Sequence, residues 1–320
     1  MKKALITGIT GQDGVYLSRL LLDKGYRVYG FYREQDKHEL WRFDVLDIAG
    51  KVDLIEGDIC NQASIDRALE LSDPDEVYNF AAQSLVSASW KQPVLTAQVT
   101  AVGVVNMLDS LKRYNPKIRF FQASSSEMFG SITEMSRNEQ TPFHPRSPYG
   151  VSKLFGHLIT INYRESFGIH AGSGVLFNHE SPLRDLSFVF RKISNAIARI
   201  ILGKQDKLIM GNIDIKRDWG FAGDYVEAMW LMLQQEQPDD YVIATGRVFS
   251  LRDICRNAFS AYNLDYEKYL EIDPKLFRPA EITVSLGDPR KAEEKLGWKA
   301  KISAEDIMVM MVEADLQREQ

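Results

Sequence analysis

Cysteine is scarce: Cys60 and Cys255 are the only two in 320 residues. They lie far apart, and neither falls in a Cys-x-x-Cys or Cys/His spacing, which argues against a zinc site. No metal is expected. The same scarcity excludes a disulfide framework and points to a reducing compartment, the cytoplasm. Long apolar runs are missing too. None approaches a membrane span, and Gly8, Gly11 and Gly14 interrupt what Met1-Lys2-Lys3 would otherwise open as a signal peptide. No membrane partner is expected. Positive charge is not in excess: 39 Lys and Arg against 44 Asp and Glu leave a net charge of -5. Nothing overall therefore argues for nucleic acid, and an anionic ligand needs a local basic cluster. Repeats, low-complexity tracts and long linkers are absent. What is present, 45% hydrophobic and 26% charged residues, is ordinary for a globular protein of one large or two small domains.

Ala4-Leu5-Ile6-Thr7 reads as a central parallel strand, and Gly8-Ile9-Thr10-Gly11-Gln12-Asp13-Gly14 follows at once. Val15, Leu17, Leu20, Leu21 and Leu22 mark a helix closed by Gly25, and residues 27–31 form a second strand. Glycines in such a turn let the backbone approach a pyrophosphate, whose charge meets the helix N-terminus. The spacing is Gly-x-x-Gly-x-x-Gly, and a plain glycine-rich turn is the alternative reading. At the end of the second strand Arg33 and Glu34 stand side by side. An acidic residue there would hold the ribose hydroxyls of NAD; an arginine would pair with the 2′-phosphate of NADP. The local signal is mixed, and NADP is favoured over NAD.

The third strand, 52–55, leads to Asp58. A helix follows at 63–71, then a fourth strand at 76–82, whose small Ala81 and Ala82 would admit a cofactor close to the backbone. A long helix spans 96–114, a fifth strand 119–123, a helix 149–167 and a sixth strand 172–178. Beyond that the texture changes. Helices are expected at 187–202, 224–235, from Ser250 (with Asp253 in the capping-box position) and at 303–316, with short strands at 208–210, 241–244 and 283–286. The alternation predicts an α/β fold: a Rossmann-type doubly wound parallel sheet with a smaller α/β substrate-binding lobe. Residues 1–174 are assigned to the nucleotide-binding domain, with segments around 212–248 returning to it, and 175–320 mainly to the lobe.

The chemistry concentrates in Gln122-Ala123-Ser124-Ser125-Ser126-Glu127-Met128-Phe129-Gly130 and Tyr149-Gly150-Val151-Ser152-Lys153. Tyr149 and Lys153, four apart, project from one helical face. A nearby ammonium favours the phenolate, which makes Tyr149 a candidate acid/base at a sugar or alcohol oxygen. Ser125 adds a hydroxyl and Glu127 a carboxyl. An aromatic core contact beside a solvated lysine has the same spacing; the glycine turn upstream favours the chemical reading. Lys192, Arg217 and Arg278 each sit near an element end. Singly they read as surface charges, together as a clamp on a nucleotide diphosphate.

These stretches resemble the extended short-chain dehydrogenase/reductases, and within them the GDP-mannose 4,6-dehydratases. Residues 4–14, 145–150, Leu176-Phe177-Asn178-His179-Glu180-Ser181-Pro182, Lys216-Arg217-Asp218-Trp219-Gly220 and Phe277-Arg278-Pro279-Ala280-Glu281 carry the resemblance, which covers nearly the whole chain. It implies NADP contacts at Gly8, Thr10, Gly11, Gln12, Asp13 and Gly14. It further implies Arg33 at the 2′-phosphate, Asp58 and Ile59 at adenine, and Ala81, Ala82, Gln83 and Ser84 along the cofactor, with Tyr149, Lys153, His179 and Arg184 completing the set. GDP-sugar contacts are implied at Ser84, Ser125, Glu127, Asn178, Lys192, Arg217, Arg278 and Glu281. The implied activity is loss of water from GDP-mannose, or from a related GDP-linked heptose or N-acetylhexosamine. A nucleotide-sugar epimerase, reductase or decarboxylase of the same fold is the alternative. The expected roles are Tyr149 as base, Lys153 lowering its pKa, Ser125 as relay and Glu127 as the acid/base of water loss. The chain departs from the family's pattern at Ser125, where threonine is usual, at Glu34, where a second arginine is usual, and in lacking a serine-rich loop that helps build tetramers. A homodimer is therefore expected, with a homotetramer as the alternative.

Overall fold

The computed structural model describes residues 1–131, 136–277 and 281–320. Six strands, β1 (Lys3–Thr7), β2 (Arg27–Tyr32), β3 (Asp53–Glu56), β4 (Glu76–Asn79), β5 (Arg119–Ser125) and β6 (Ala171–Leu176), join an edge strand, Tyr241–Ile243, in one sheet. The order is Tyr241–Ile243, β6, β5, β4, β1, β2, β3, and every pairing is parallel. The strand order reverses between β1 and β4, which opens a crevice at the C-terminal ends of the strands.

Pleating sends alternate residues to opposite faces. Ala4 and Ile6 join a core with Val15, Leu17, Met229 and Leu296, under the helices Gln12–Asp23, Ala222–Gln234 and Arg290–Leu296. Leu5 joins the opposite core with Ile65, Leu69, Met107 and Leu111, under Gln62–Ser72 and Gly103–Tyr114. The sheet is thus covered on both faces, as the alternation of elements predicts. A separate core, including Phe190, Ile197, Ile254, Phe259 and Met308, unites the helices Val189–Ile201, Leu251–Ser260 and Ala304–Glu319.

Caps place the helix ends. Ser147 Oγ accepts the Gly150 N–H at 3.0 Å, and Pro148 opens the helix Pro148–Phe167 with its φ already helical. This seat, worth about 1 kcal/mol, sets the rotation of Tyr149 and Lys153. The expected capping box of Ser250 and Asp253 is present.

Several boundaries differ from expectation. The fourth strand stops at Asn79, after which Phe80 N–H bonds Thr7 O and the chain leaves the sheet over the crevice. The sixth strand splits at Phe177: β6 stays in the main sheet, while Asn178–Glu180 pairs with Trp219–Phe221. The long helix begins at Pro93 and carries a π-helical turn at Gln98–Val102. Contrary to expectation, the stretch Pro93–Tyr114 has the length and mean hydropathy (1.4) of a membrane span, but 56% of that window is buried within the protein. That burial is what a core helix requires.

Candidate active site

The glycine turn is built for close approach. Gly8 has φ +63°, and a Cβ there would stand 2.9 Å from Ala81 N. A Cβ on Gly14 would stand 2.6 Å from Ile9 Cα, so only glycine lets the helix start against the turn. Gly11 is the N-cap of Gln12–Asp23 and supplies no side-chain acceptor. The N–H groups of that first turn therefore face the crevice as an anion cradle. A pyrophosphate fits this donor set.

The flanking side chains are tied down. Gln12 donates to His179 O at 2.9 Å and accepts from Ser181 Oγ at 2.8 Å. Asp13 meets His179 Nε2 at 3.0 Å, while His179 Nδ1 bonds Phe177 O and the ring stacks on Tyr225 at 4.7 Å. Burial opposes charge on both partners, yet their mutual attraction wins: Asp13 is lowered and His179 raised. His179 thus holds the first turn through Asp13. Buried Arg42, which the sequence did not flag, donates to Thr10 O at 3.1 Å and Leu183 O at 2.7 Å. Arg184 pairs with Glu180 at 3.2 Å.

At the adenosine end, Arg33 is gripped by Asp36, Nε to Oδ2 at 2.9 Å and Nη2 to Oδ1 at 3.1 Å. Asp58 Oδ1 accepts from Cys60 N at 2.8 Å, and buried Ile59 offers its carbonyl to Asn106 at 3.0 Å. Ala81 N–H bonds Thr7 Oγ1 at 3.2 Å, and Gln83 N–H bonds Thr100 Oγ1, from the π-helical turn, at 3.0 Å. Ala82 and Ser84 line the cavity described next.

A cavity of about 430 Å³ lies over the C-terminal ends of β4, β5 and β6. Ser84, Ser125, Glu127, Tyr149 and Lys153 line it together with Asn178, His179, Arg184, Lys192, Arg217 and Glu281. Ser125 Oγ accepts Glu127 N–H at 3.3 Å, and its hydroxyl acts on Tyr149 across the cavity lining. Lys153 Nζ donates to Ala123 O at 2.7 Å. Behind them, Ser124 Oγ meets His157 Nδ1 at 3.2 Å. The four groups singled out in sequence are therefore gathered in one place, with Asp13 beneath them.

The expected lowering of the Tyr149 pKa by Lys153 is not what the structure gives. Burial pushes Tyr149 up to about 12, against the pull of the Ser125 hydrogen bond. Burial pulls Lys153 down to about 8, opposed by the charge of Asp13. Both side chains are buried, which disfavours charge on either.

At the far end, Arg217 Nη2 stands 3.6 Å from Glu281 Oε1, beside Glu127, Arg146 and Ser147. On the helix Val189–Ile201, Arg191 turns inward to Asp315 (Nε–Oδ1 2.8 Å), whereas Lys192 lines the cavity. Burial lowers the Lys192 pKa. Phe188, Met210, Ile215 and Trp219 supply an apolar wall that residue spacing did not reveal. Arg278 lies outside the described residues. Among the described residues, no group of three or more His, Cys, Asp or Glu is placed to hold a metal.

The family model for GDP-mannose 4,6 dehydratase matches residues 5–311. A GDP-mannose 4,6 dehydratase of Arabidopsis thaliana is 48% identical over 326 residues, 99% of this chain and 90% of that protein. One from Yersinia enterocolitica is 44% identical over 352 residues, 99% of this chain and 95% of that protein. Among solved structures, dTDP-glucose 4,6-dehydratase from Bacillus anthracis in complex with NAD superposes with a TM-score of 0.86 at 19% identity, covering 100% of this chain and 98% of that one. RMD from Pseudomonas aeruginosa complexed with NADPH gives 0.82 at 23%, covering 99% and 100%. At those identities the two structures speak to the fold.

Proposed function

The chain belongs to the GDP-mannose 4,6 dehydratase family, and from that premise we propose that it converts GDP-mannose to GDP-4-keto-6-deoxymannose and water. The observation that carries this reading is the convergence of Ser125, Glu127, Tyr149 and Lys153 on the cavity that Asn178, Lys192, Arg217 and Glu281 also line.

A bound oxidised nicotinamide supplies the hydride acceptor for C4 and, once reduced, the donor for C6. Tyr149 takes the O4 proton, with Ser125 as the relay between phenol and sugar. Lys153 orients the nicotinamide ribose, and its ammonium balances the negative charge that develops on Tyr149 in the buried pocket. The C4 ketone acidifies the C5 proton. Glu127 removes it and delivers it to O6, which leaves as water. C5 then takes back one proton, balancing the one Tyr149 removed from O4. Asn178, Lys192, Arg217 and Glu281, with Arg278, hold the GDP-sugar.

NADP is the favoured cofactor, since Arg33 at the end of β2 supports a 2′-phosphate contact; Asp36 and Glu34 beside it weaken the discrimination against NAD. Residues 1–174, with the return around 212–248, hold the cofactor, and 175–320 mainly hold the sugar nucleotide. The chain works as a homodimer in the cytoplasm. Support for the dimer comes from the outer face of Pro148–Phe167, where Val151, Phe155 and Leu158 are exposed one helical turn apart, near exposed Val94 and Leu95 of a helix packed on it. Support for the compartment comes from two free cysteines.

Incubation with GDP-mannose and mass spectrometry of the sugar nucleotide tests the reading. Loss of one water is expected. An unchanged mass with an altered sugar would mean an epimerase, and no reaction would overturn the assignment.

A further inference from the structure

Arg137 is among the largest fully buried side chains, at 2% exposure. One of its nitrogens, Nη2, bonds two carbonyls, Gly130 O at 3.3 Å and Val284 O at 2.8 Å. Its backbone joins the second of these segments: Arg137 N–H bonds Leu286 O at 3.0 Å, and Asp288 N–H bonds Arg137 O at 2.9 Å. The carbonyl of Gly130 ends the turn that carries Glu127. Val284–Ser285 pairs in parallel with Lys216–Arg217, the strand that delivers Arg217 to the cavity. Among the described residues, Nε and Nη1 have no hydrogen-bond partner, and burying a guanidinium is costly. Among the described residues, the one charge acting on it is that of Glu127.

We propose that Arg137 is a positioning residue for the water-loss step: its guanidinium, through the Gly130 and Val284 carbonyls, locks the turn that carries Glu127 to the strand beside Arg217. Nothing in the motifs pointed to it, because its role exists only where residues 127–130 and 284–288 meet. The inference rests on the dehydratase reading above. Glu127 also faces Tyr149 from the helix Pro148–Phe167, Arg146 and Ser147 from the loop before it, and Arg217 and Glu281 from the far wall. Those groups remain when Arg137 is changed, so a loss on its substitution is assignable to it.

The experiment compares the unsubstituted protein, Arg137→Met and Arg137→Lys in turnover of GDP-mannose, in exchange of the C5 proton with deuterated solvent, and in melting temperature. Arg137→Met removes the donor from the Gly130 and Val284 carbonyls and is expected to melt lower. With the turn untied, C5 exchange and water release are expected to fall roughly tenfold to a hundredfold, while oxidation at C4, followed as reduced nicotinamide, persists. Arg137→Lys keeps a donor and is expected to recover part of the loss. Unchanged C5 exchange in Arg137→Met, or a fall in C4 oxidation by the same factor as in C5 exchange, would each overturn the proposal. Failure of the unsubstituted protein to release water would instead overturn the dehydratase reading.

Discussion

Asp13 and His179 stand 166 positions apart in sequence, yet both carboxylate oxygens of Asp13 lie 3.0 Å from His179 Nε2. This contact fastens the first turn of the nucleotide helix to the segment that carries Asn178. It is a buried charge pair, and its two partners shift in opposite directions.

The pair therefore stabilises the fold over a defined pH window. The raised pKa of His179 gives stability that is fully present below about 6.5, its unfolded value, and is lost as pH rises through the higher folded value. The lowered pKa of Asp13 gives stability present above about 3.9 and lost as pH falls through its lower folded value. Thermal unfolding should show Asp13→Asn costing about 2 kcal/mol at pH 6 and clearly less at pH 9. Equal losses at both pH values would exclude a charged pair.

Lys153, drawn down to about 8 by burial, loses its charge within the working range. The kcat/KM of the protein is expected to fall as pH rises through about 8 as that charge is lost. Arginine stays protonated throughout, so Lys153→Arg should abolish this fall while lowering the rate. Lys153→Met should lose on the order of a hundredfold below about pH 8 and show no basic limb from this group. A basic limb that survives in Lys153→Arg belongs to another group.

Glu127→Gln should retain oxidation at C4 and stop water loss, lowering release of the 4-keto-6-deoxy product by roughly 10²–10⁴-fold. Exchange of the C5 proton with deuterated solvent, followed by NMR, is expected to disappear with it. Normal product release from this variant would leave Glu127 as no more than a loop carboxylate.

The exposed residues Phe155 and Leu158, 46% and 51% accessible on one helix face, should be covered in the proposed homodimer. Paired substitution to glutamate places four like charges in a two-fold contact and should yield monomers by sedimentation, with secondary structure intact. A dimer that persists would move the interface elsewhere.

Much of the nucleotide half was legible in the chain because its signals are local. Gly8 and Gly14 are demanded by contacts within a few residues or with one neighbouring strand. Ser147 and Pro148 announce the helix that orients Tyr149 and Lys153. The boundaries that shifted, at Asn79 and Phe177, are those where tertiary pairing ended or redirected a strand whose local pattern ran on. The short strand Tyr241–Ile243 was legible as a strand but not as the edge of the main sheet, because only its pairing with β6 says where it goes.

By itself the sequence determined a parallel sheet, a glycine turn able to approach a phosphate, and a tyrosine and lysine on one helical face, since periodicity and spacing act over a few residues. The tertiary structure alone decided that His179 grips Asp13, that Arg191 turns away from the cavity while Lys192 faces it, and that Tyr149 and Lys153 share a buried pocket that resists charge on both. Burial and long-range electrostatics arise only when segments distant in the chain close around the same space, and no local pattern records them.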